Sequence, residues 1–230
     1  MNAPVAARGT WADRYGPWAL VTGASDGLGR SFARALAARG LNLILVARRA
    51  SALERLADEF RDAHGVRCLV RPVDLRDPAS AAALDEETAR LDVGLVVAAA
   101  GFGSIGPFLD RPLDDERDML AVNAGAVLGI AHAFGRRLRA RGRGGLVLFG
   151  SVVGFQGTPL SANYAATKAY VQSLVEACLH ALGRCTTVRP GVLAKVLGYS
   201  LMTLPRPLRS RILREVMTGM LPRDAVRGDA

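Results

Sequence analysis

Tyr164 and Lys168 stand four residues apart in the run Asn163-Tyr-Ala-Ala-Thr-Lys168. On a helix that spacing puts both side chains on one face, about 6 Å apart, so a cation is held beside a phenol. A phenol titrates near pH ~10, too high for a base at neutral pH, but a neighbouring ammonium favours the phenolate. Such a pair can exchange a proton with an alcohol or a carbonyl oxygen. Only two of the 30 Lys and Arg residues are lysine, Lys168 and Lys195. In a chain that uses Arg for almost every cation, an ammonium at 168 suits a site needing a compact point charge that reaches both a phenol and sugar hydroxyls. The competing reading is a surface Tyr and Lys on an amphipathic helix, and the rest of the chain decides between the two.

The elements around the pair alternate. Trp18 to Val21 is a short apolar run that breaks into Thr22-Gly23-Ala24-Ser25-Asp26-Gly27-Leu28-Gly29, after which Phe32 and Leu36 recur at helical spacing. Strand, glycine turn and helix in that order let the backbone approach a phosphate, with the helix N-terminus offering free N–H groups. Read this way, the turn binds a dinucleotide; the alternative is a tight βα loop without a ligand. Leu41 to Ala47 is a continuous apolar strand ending at Arg48-Arg49. In dinucleotide folds this point meets the adenosine ribose, where a carboxylate selects the free 2′-hydroxyl and an arginine the 2′-phosphate. With no carboxylate here and two arginines, NADP(H) is expected over NAD(H), unless the arginines are merely solvated. Further strands are predicted at Arg67 to Val73, ending at Asp74, at Val93 to Ala100, ending at Gly101, and at Gly145 to Phe149, ending at Ser151. Helical patterns fall at Pro78 to Leu91 and Glu116 to Arg141, the latter enclosing Asn123. Apolar strands alternating with helices predict an α/β, Rossmann-type, doubly wound parallel sheet with helices on both faces.

Composition excludes several classes. With 230 residues and 50% apolar content, the chain suits a single domain with a large core. The net charge of +9 raises nucleic acid or anionic membrane as partners, but the cations are scattered as pairs among Ala, Leu and Asp, which reads as solvated arginine. Cys68, Cys178 and Cys185 form no paired framework, and His64, His132 and His180 have no ligand spacing, so no metal site is expected. Neither a signal peptide nor 18 uninterrupted apolar residues are seen, giving a cytoplasmic expectation.

Taken together, Thr22-Gly23-xxx-Gly27-x-Gly29, Asp74, Asn123, and Ser151 placed 13 residues before Tyr164 resemble the short-chain dehydrogenase/reductase family, over about residues 15 to 178. The resemblance implies that Tyr164 is the general acid/base, that Ser151 hydrogen-bonds the substrate oxygen, and that Lys168 holds the nicotinamide ribose and lowers the phenol's pKa. Asn123 would help carry a water chain from Lys168, Asp74 would lie near the adenine, and Arg48 would bind the 2′-phosphate. Cofactor contacts would come from Thr22, Gly23, Ser25, Asp26, Gly27, Leu28, Gly29, Arg48, Arg49, Asp74, Ala100, Gly101, Tyr164 and Lys168. The family implies a seven-stranded sheet, a small carbonyl or alcohol substrate, and a homodimer or homotetramer.

Two departures stand out. Ala98-Ala99-Ala100-Gly101 replaces the family's common Asn-Asn-Ala-Gly, so side-chain amides that brace the sheet are missing. The C-terminal third is short. Arg184 to Arg189 is its one strand candidate, before Pro190-Gly191; Val192 to Leu204 and Leu208 to Met220 read as helices. The reading adopted is a 1–17 lead-in, an 18–191 NADP-binding catalytic domain with its substrate loop short or missing near 178–184, and a 192–230 helical tail. The tail is expected to pack on the domain or a partner subunit rather than on a membrane surface. Function is read as NADP(H)-dependent interconversion of a carbonyl and a secondary alcohol on an apolar small molecule. The alternative is a non-catalytic NADP(H)-binding regulator that lacks a substrate lid.

Overall fold

The computed structural model describes residues 10–182 and 205–220. Five strands are present among them: β1 (Trp18–Thr22), β2 (Asn42–Ala47), β3 (Cys68–Pro72), β4 (Val93–Ala98) and β5 (Gly145–Leu148). The helices are α1 (Trp11–Tyr15), α2 (Gly27–Ala37), α3 (Ala50–His64), α4 (Ser80–Glu87), α5 (Leu113–Leu120), α6 (Val127–Arg141), α7 (Ala162–Leu182) and α8 (Arg206–Thr218). They fall into two compact units: the chain up to Ala100 with Ala126–Leu148, and Gly101–Gly125 with the chain from Phe149 on.

The first unit is the sheet. Its strands run parallel in the order β3-β2-β1-β4-β5, so the winding reverses between β1 and β4, the place where ligands meet such sheets. Both faces are covered, which is why β1 and β4 read as unbroken apolar runs rather than as alternating ones. Trp18, Leu20, Ile44, Val46, Val96 and Ala98 form one core with Ala81 and Leu84 of α4 and Ile130 and Phe134 of α6. Their neighbours Ala19, Val21, Leu43, Leu45 and Val97 point the other way by the two-residue period. On that side α2 and α3 bury Leu36, Leu53, Leu56 and Phe60. Each of these large side chains contributes about 1.5–3 kcal/mol when fully buried. Local signals set the helix ends: Asp26 caps α2 through Gly27 N–H, and α3 stops at Gly65 in the left-handed region.

In the second unit α5 packs against α7, and the 3₁₀ turn Val152–Phe155 also lies on α7. Helix α8 falls within the tail predicted as helical and buries Leu213 and Met217, four residues apart on one face.

The helical run expected over Glu116 to Arg141 is present and starts at Leu113, with Ala121–Ala126 as a π-helical segment between α5 and α6. Its extra residue per turn shifts the helical face at Asn123, which hydrophobic periodicity does not reveal. The whole run Leu113–Arg141 has the length and hydropathy of a membrane-crossing helix, yet Met119, Ile130 and Phe134 in it are buried within the protein. Helix α7 continues past Cys178 to Leu182 without a break. The expected strand at Arg184 to Arg189 and helix at Val192 to Leu204 lie outside the described residues.

Candidate active site

The second unit gathers Asn123, Tyr164 and Lys168. Lys168 is 8% exposed, and its Nζ donates to Phe149 O at 3.0 Å and stands 5.6 Å from the centre of the Tyr164 ring. The four-residue spacing on α7 thus puts cation and phenol side by side as the sequence requires. Burial pulls the Lys168 pKa below the ordinary lysine value, because desolvation penalises the charged form.

Asn123 is completely buried and its amide is spent on protein partners. Nδ2 donates to Phe102 O (2.7 Å) and to Thr167 Oγ1 (3.3 Å), while Oδ1 accepts from Phe102 N (3.0 Å). Thr167 in turn donates to Tyr164 O at 2.8 Å. A hydrogen-bonded chain therefore runs from the loop after β4, through the π segment, to the backbone of the tyrosine. Gly101 belongs to the same knot. A Cβ there would lie 3.0 Å from Asn123 Oδ1 and 3.8 Å from Lys168 Nζ, so glycine lets the loop close on both.

Ser151 is held by its neighbours. Phe149 O takes the Lys168 ammonium, Gly154 packs onto the Lys168 backbone, and Ser151 between them caps the 3₁₀ turn, its Oγ accepting from Val153 N at 3.4 Å.

Sequence reasoning did not single out the residues that fix the start of α7. Glu116, 6% exposed, accepts from Asn163 Nδ2 at 2.7 Å and from Arg111 Nε at 2.8 Å. Asn163 Nδ2 also reaches Glu116 O. Leu160 adopts φ 62°, a left-handed conformation that costs a bulky residue on the order of 1–3 kcal/mol. It is kept there because its carbonyl accepts from Gly106 N at 2.8 Å while Ser161 Oγ donates to Ser104 O at 3.1 Å. Asn163 beside the tyrosine was the one available signal, and it has no meaning until Glu116 is brought opposite.

In the first unit the glycine turn follows β1. Gly23 has φ +64° and a Cβ on it would stand 2.9 Å from the Ala100 backbone, so the turn passes β4's end at a distance only glycine permits. Ala100 N donates to Thr22 Oγ1 at 3.1 Å, which ties the chain after β4 to the end of β1. Asp26 Oδ1 accepts from Gly27 N at 2.7 Å, and beside Gly27 there is open space. Ser25 is half-buried, whereas Leu28, Arg48 and Arg49 are exposed, the two arginines at the end of β2. Asp74 is gripped by Arg76, whose Nε donates to its carboxylate at 2.9 Å and whose backbone N donates at 3.0 Å. Those bonds, with lesser help from the Arg48 charge, hold its pKa down at about 2. The unit thus offers an open glycine turn at a helix N-terminus, two exposed guanidinium groups and a firmly ionised carboxylate.

The sequence profile described as short chain dehydrogenase matches residues 17–196, further than the limit of 178 read from the motifs. A 7beta-hydroxysteroid dehydrogenase of Collinsella aerofaciens is 33% identical over 165 residues, which are 72% of this chain and 63% of that enzyme. The chain therefore spans less than two thirds of that relative's length. Among solved structures, a short-chain dehydrogenase from Sphingobium yanoikuyae in complex with NADPH superposes with a TM-score of 0.67 at 26% identity, covering 89% of this chain and 94% of that one. The bulky-bulky ketone specific alcohol dehydrogenase from Comamonas testosteroni gives 0.69 at 26% identity, covering 93% and 96%. A profile match over most of the chain, superposition on solved short-chain dehydrogenases and the Ser151, Tyr164 and Lys168 set in order lead to one assignment: the chain belongs to the short-chain dehydrogenase family.

Proposed function

We propose that the chain is an NADP(H)-dependent oxidoreductase that interconverts a carbonyl and a secondary alcohol on a bulky apolar small molecule, with Tyr164 as acid/base. The observation that carries this reading is the buried Lys168 ammonium fixed beside the Tyr164 ring by Phe149 O. A cation in that position compensates the negative charge that proton transfer leaves on the phenol oxygen.

In the reductive direction the Tyr164 hydroxyl gives its proton to the substrate oxygen, which the Ser151 hydroxyl holds in place. The Lys168 charge stabilises the phenolate left behind, and solvent returns the proton. NADPH supplies the hydride when bound. The residues present fit that cofactor: the space beside Gly27 is open, and Arg48 and Arg49 are exposed at the end of β2. Arg48 is assigned to the 2′-phosphate through charge-assisted hydrogen bonds. The names of the two enzymes above, one acting on a hydroxysteroid and one on bulky ketones, support a large apolar substrate. We further assign the chain to the cytoplasm as a homodimer or homotetramer.

Two measurements test the reading. Fluorescence titration should give tighter binding of NADPH than NADH, and Arg48→Ala should erase most of the difference; equal affinities in the wild type would remove the 2′-phosphate assignment. Tyr164→Phe should lower turnover of a bulky ketone by a factor of about 10² or more while NADPH still binds. Retention of most of the wild-type rate would mean that the proton comes from elsewhere.

A further inference from the structure

The loop that leaves β4 is tied down at three points. Phe102 bonds the Asn123 side chain through both its N–H (3.0 Å) and its carbonyl (2.7 Å). Ser104 O accepts from Ser161 Oγ at 3.1 Å, and Gly106 N donates to Leu160 O at 2.8 Å. Gly103 lies between the first two ties. A Cβ placed on it would have three carbons of the Tyr164 ring as its nearest neighbours, Cδ2 at 3.2 Å, Cε2 at 3.3 Å and Cγ at 3.4 Å. The ring thus borders the place where a side chain at 103 would stand.

The backbone does not require glycine here. The φ of Gly103 lies outside the left-handed region that Gly23 and Gly27 adopt, so alanine meets no conformational barrier. What excludes a side chain is the tyrosine. Carbon atoms settle about 3.5–4.0 Å apart, so an added methyl obliges the loop or the ring to give by a few tenths of an ångström. The loop is the stiffer of the two, held by the fully buried Asn123 and by the entry of α7. The ring swings about its Cα–Cβ bond, and the hydroxyl is the atom farthest from that pivot. A small push on the ring carbons is therefore magnified at the oxygen.

We infer that Gly103 is a positioning residue: the bare backbone of the loop is the wall against which the Tyr164 ring rests, and it fixes where the phenolic hydroxyl points. The inference rests on the reading of Tyr164 as the acid/base. Proton transfer needs donor and acceptor within about 2.6–3.2 Å, and a misplacement of about 1 Å can cost 10²-fold in rate. Asn123 then serves the tyrosine twice. Through Thr167 it reaches the tyrosine backbone, and through Phe102 it stiffens the wall beside the ring.

The full chain and its variants are labelled with 3-fluorotyrosine, and the signal lost in Tyr164→Phe identifies the Tyr164 resonance. In Gly103→Ala that fluorine signal should move while those of Tyr15 and Tyr170 stay in place, and fluorescence titration should give wild-type affinity for NADPH. Oxidation of NADPH with a bulky steroid ketone should lose a factor of about 10 to 10² in kcat. An unmoved Tyr164 signal, an unchanged kcat or a parallel loss of NADPH affinity each overturns the inference. Should Gly103→Ala fail to fold, Ser161→Ala, which unties Ser104, must lower kcat and move the same signal with NADPH affinity kept; no change in either has the same overturning force. The parent reading fails separately. If the wild type does not reduce the ketone, or Tyr164→Phe keeps the rate, the acid/base assignment falls and the fluorine signal alone decides whether the wall holds the ring.

Discussion

Asp74 illustrates what a single side chain reports. Its pKa of about 2 is set first by the Arg76 hydrogen bonds and only then by charge, and it lies below the ordinary carboxylate value of 3.8. A depressed folded-state pKa means that the stabilisation is fully present above pH 3.8 and is lost as pH falls through 2. The side chain is 39% exposed, so solvent screens the pair and the effect is modest. Asp74→Asn is therefore expected to flatten the dependence of melting temperature on pH between about 4 and 2 while leaving it unchanged near neutrality. A variant with the same acid slope as the wild type would show that Asp74 is not held by Arg76 in solution. At neutral pH the carboxylate therefore stays ionised and acts only as an acceptor.

At the scale of elements the question is what keeps α7 in register, because both Tyr164 and Lys168 ride on it. The Arg111–Glu116–Asn163 hydrogen bonds pin its first turn to α5, and the Asn123–Thr167 bond pins its second. Bonds to a buried carboxylate are worth about 1.5–3 kcal/mol each. Glu116→Leu should accordingly destabilise the protein by about 2 kcal/mol or more in urea titration and lower kcat, since the tyrosine is then placed less accurately. Glu116→Gln keeps an acceptor for Asn163 and should retain more of both. Equal stability of the wild type and Glu116→Leu would mean that the pair contributes nothing to holding the helix. Leu160 belongs to the same device, its strained backbone tolerated because it ties the 104–106 loop to the entry of α7.

For the whole molecule the exposed apolar side chains are the informative ones. Leu113 and Leu120 on α5 and Tyr170 on α7 are 58%, 52% and 41% exposed, on two helices that pack together. Apolar groups of this size exposed on adjoining helices suit a subunit interface. The expected result in sedimentation is a homo-oligomer, with the double variant Leu120→Glu/Tyr170→Glu shifting the protein toward monomer at unchanged helix content. A wild type that sediments as a monomer would count against the interface.

Much of this was legible in the chain because local chemistry sets it. Apolar runs broken by Gly23 and Arg48 mark strands and their ends, and these came out within a residue or two for β1 and β2, since a strand buried on both faces needs an unbroken apolar run. The four-residue spacing of Tyr164 and Lys168 is likewise a property of helical geometry alone, and the scarcity of lysine sharpened it. What the sequence could not disclose depends on partners far along the chain. The resemblance marks Asn123 as a site residue, but nothing local names its partners until the π segment turns it toward Phe102 and Thr167. Glu116 reads as one of several acids opening α5 until Asn163, 47 residues on, meets it. The approach of Gly103 to the Tyr164 ring is invisible in any local pattern. Hydrophobic periodicity records which face a residue turns to the core, but hydrogen-bond pairing between distant segments is decided only when packing brings them together.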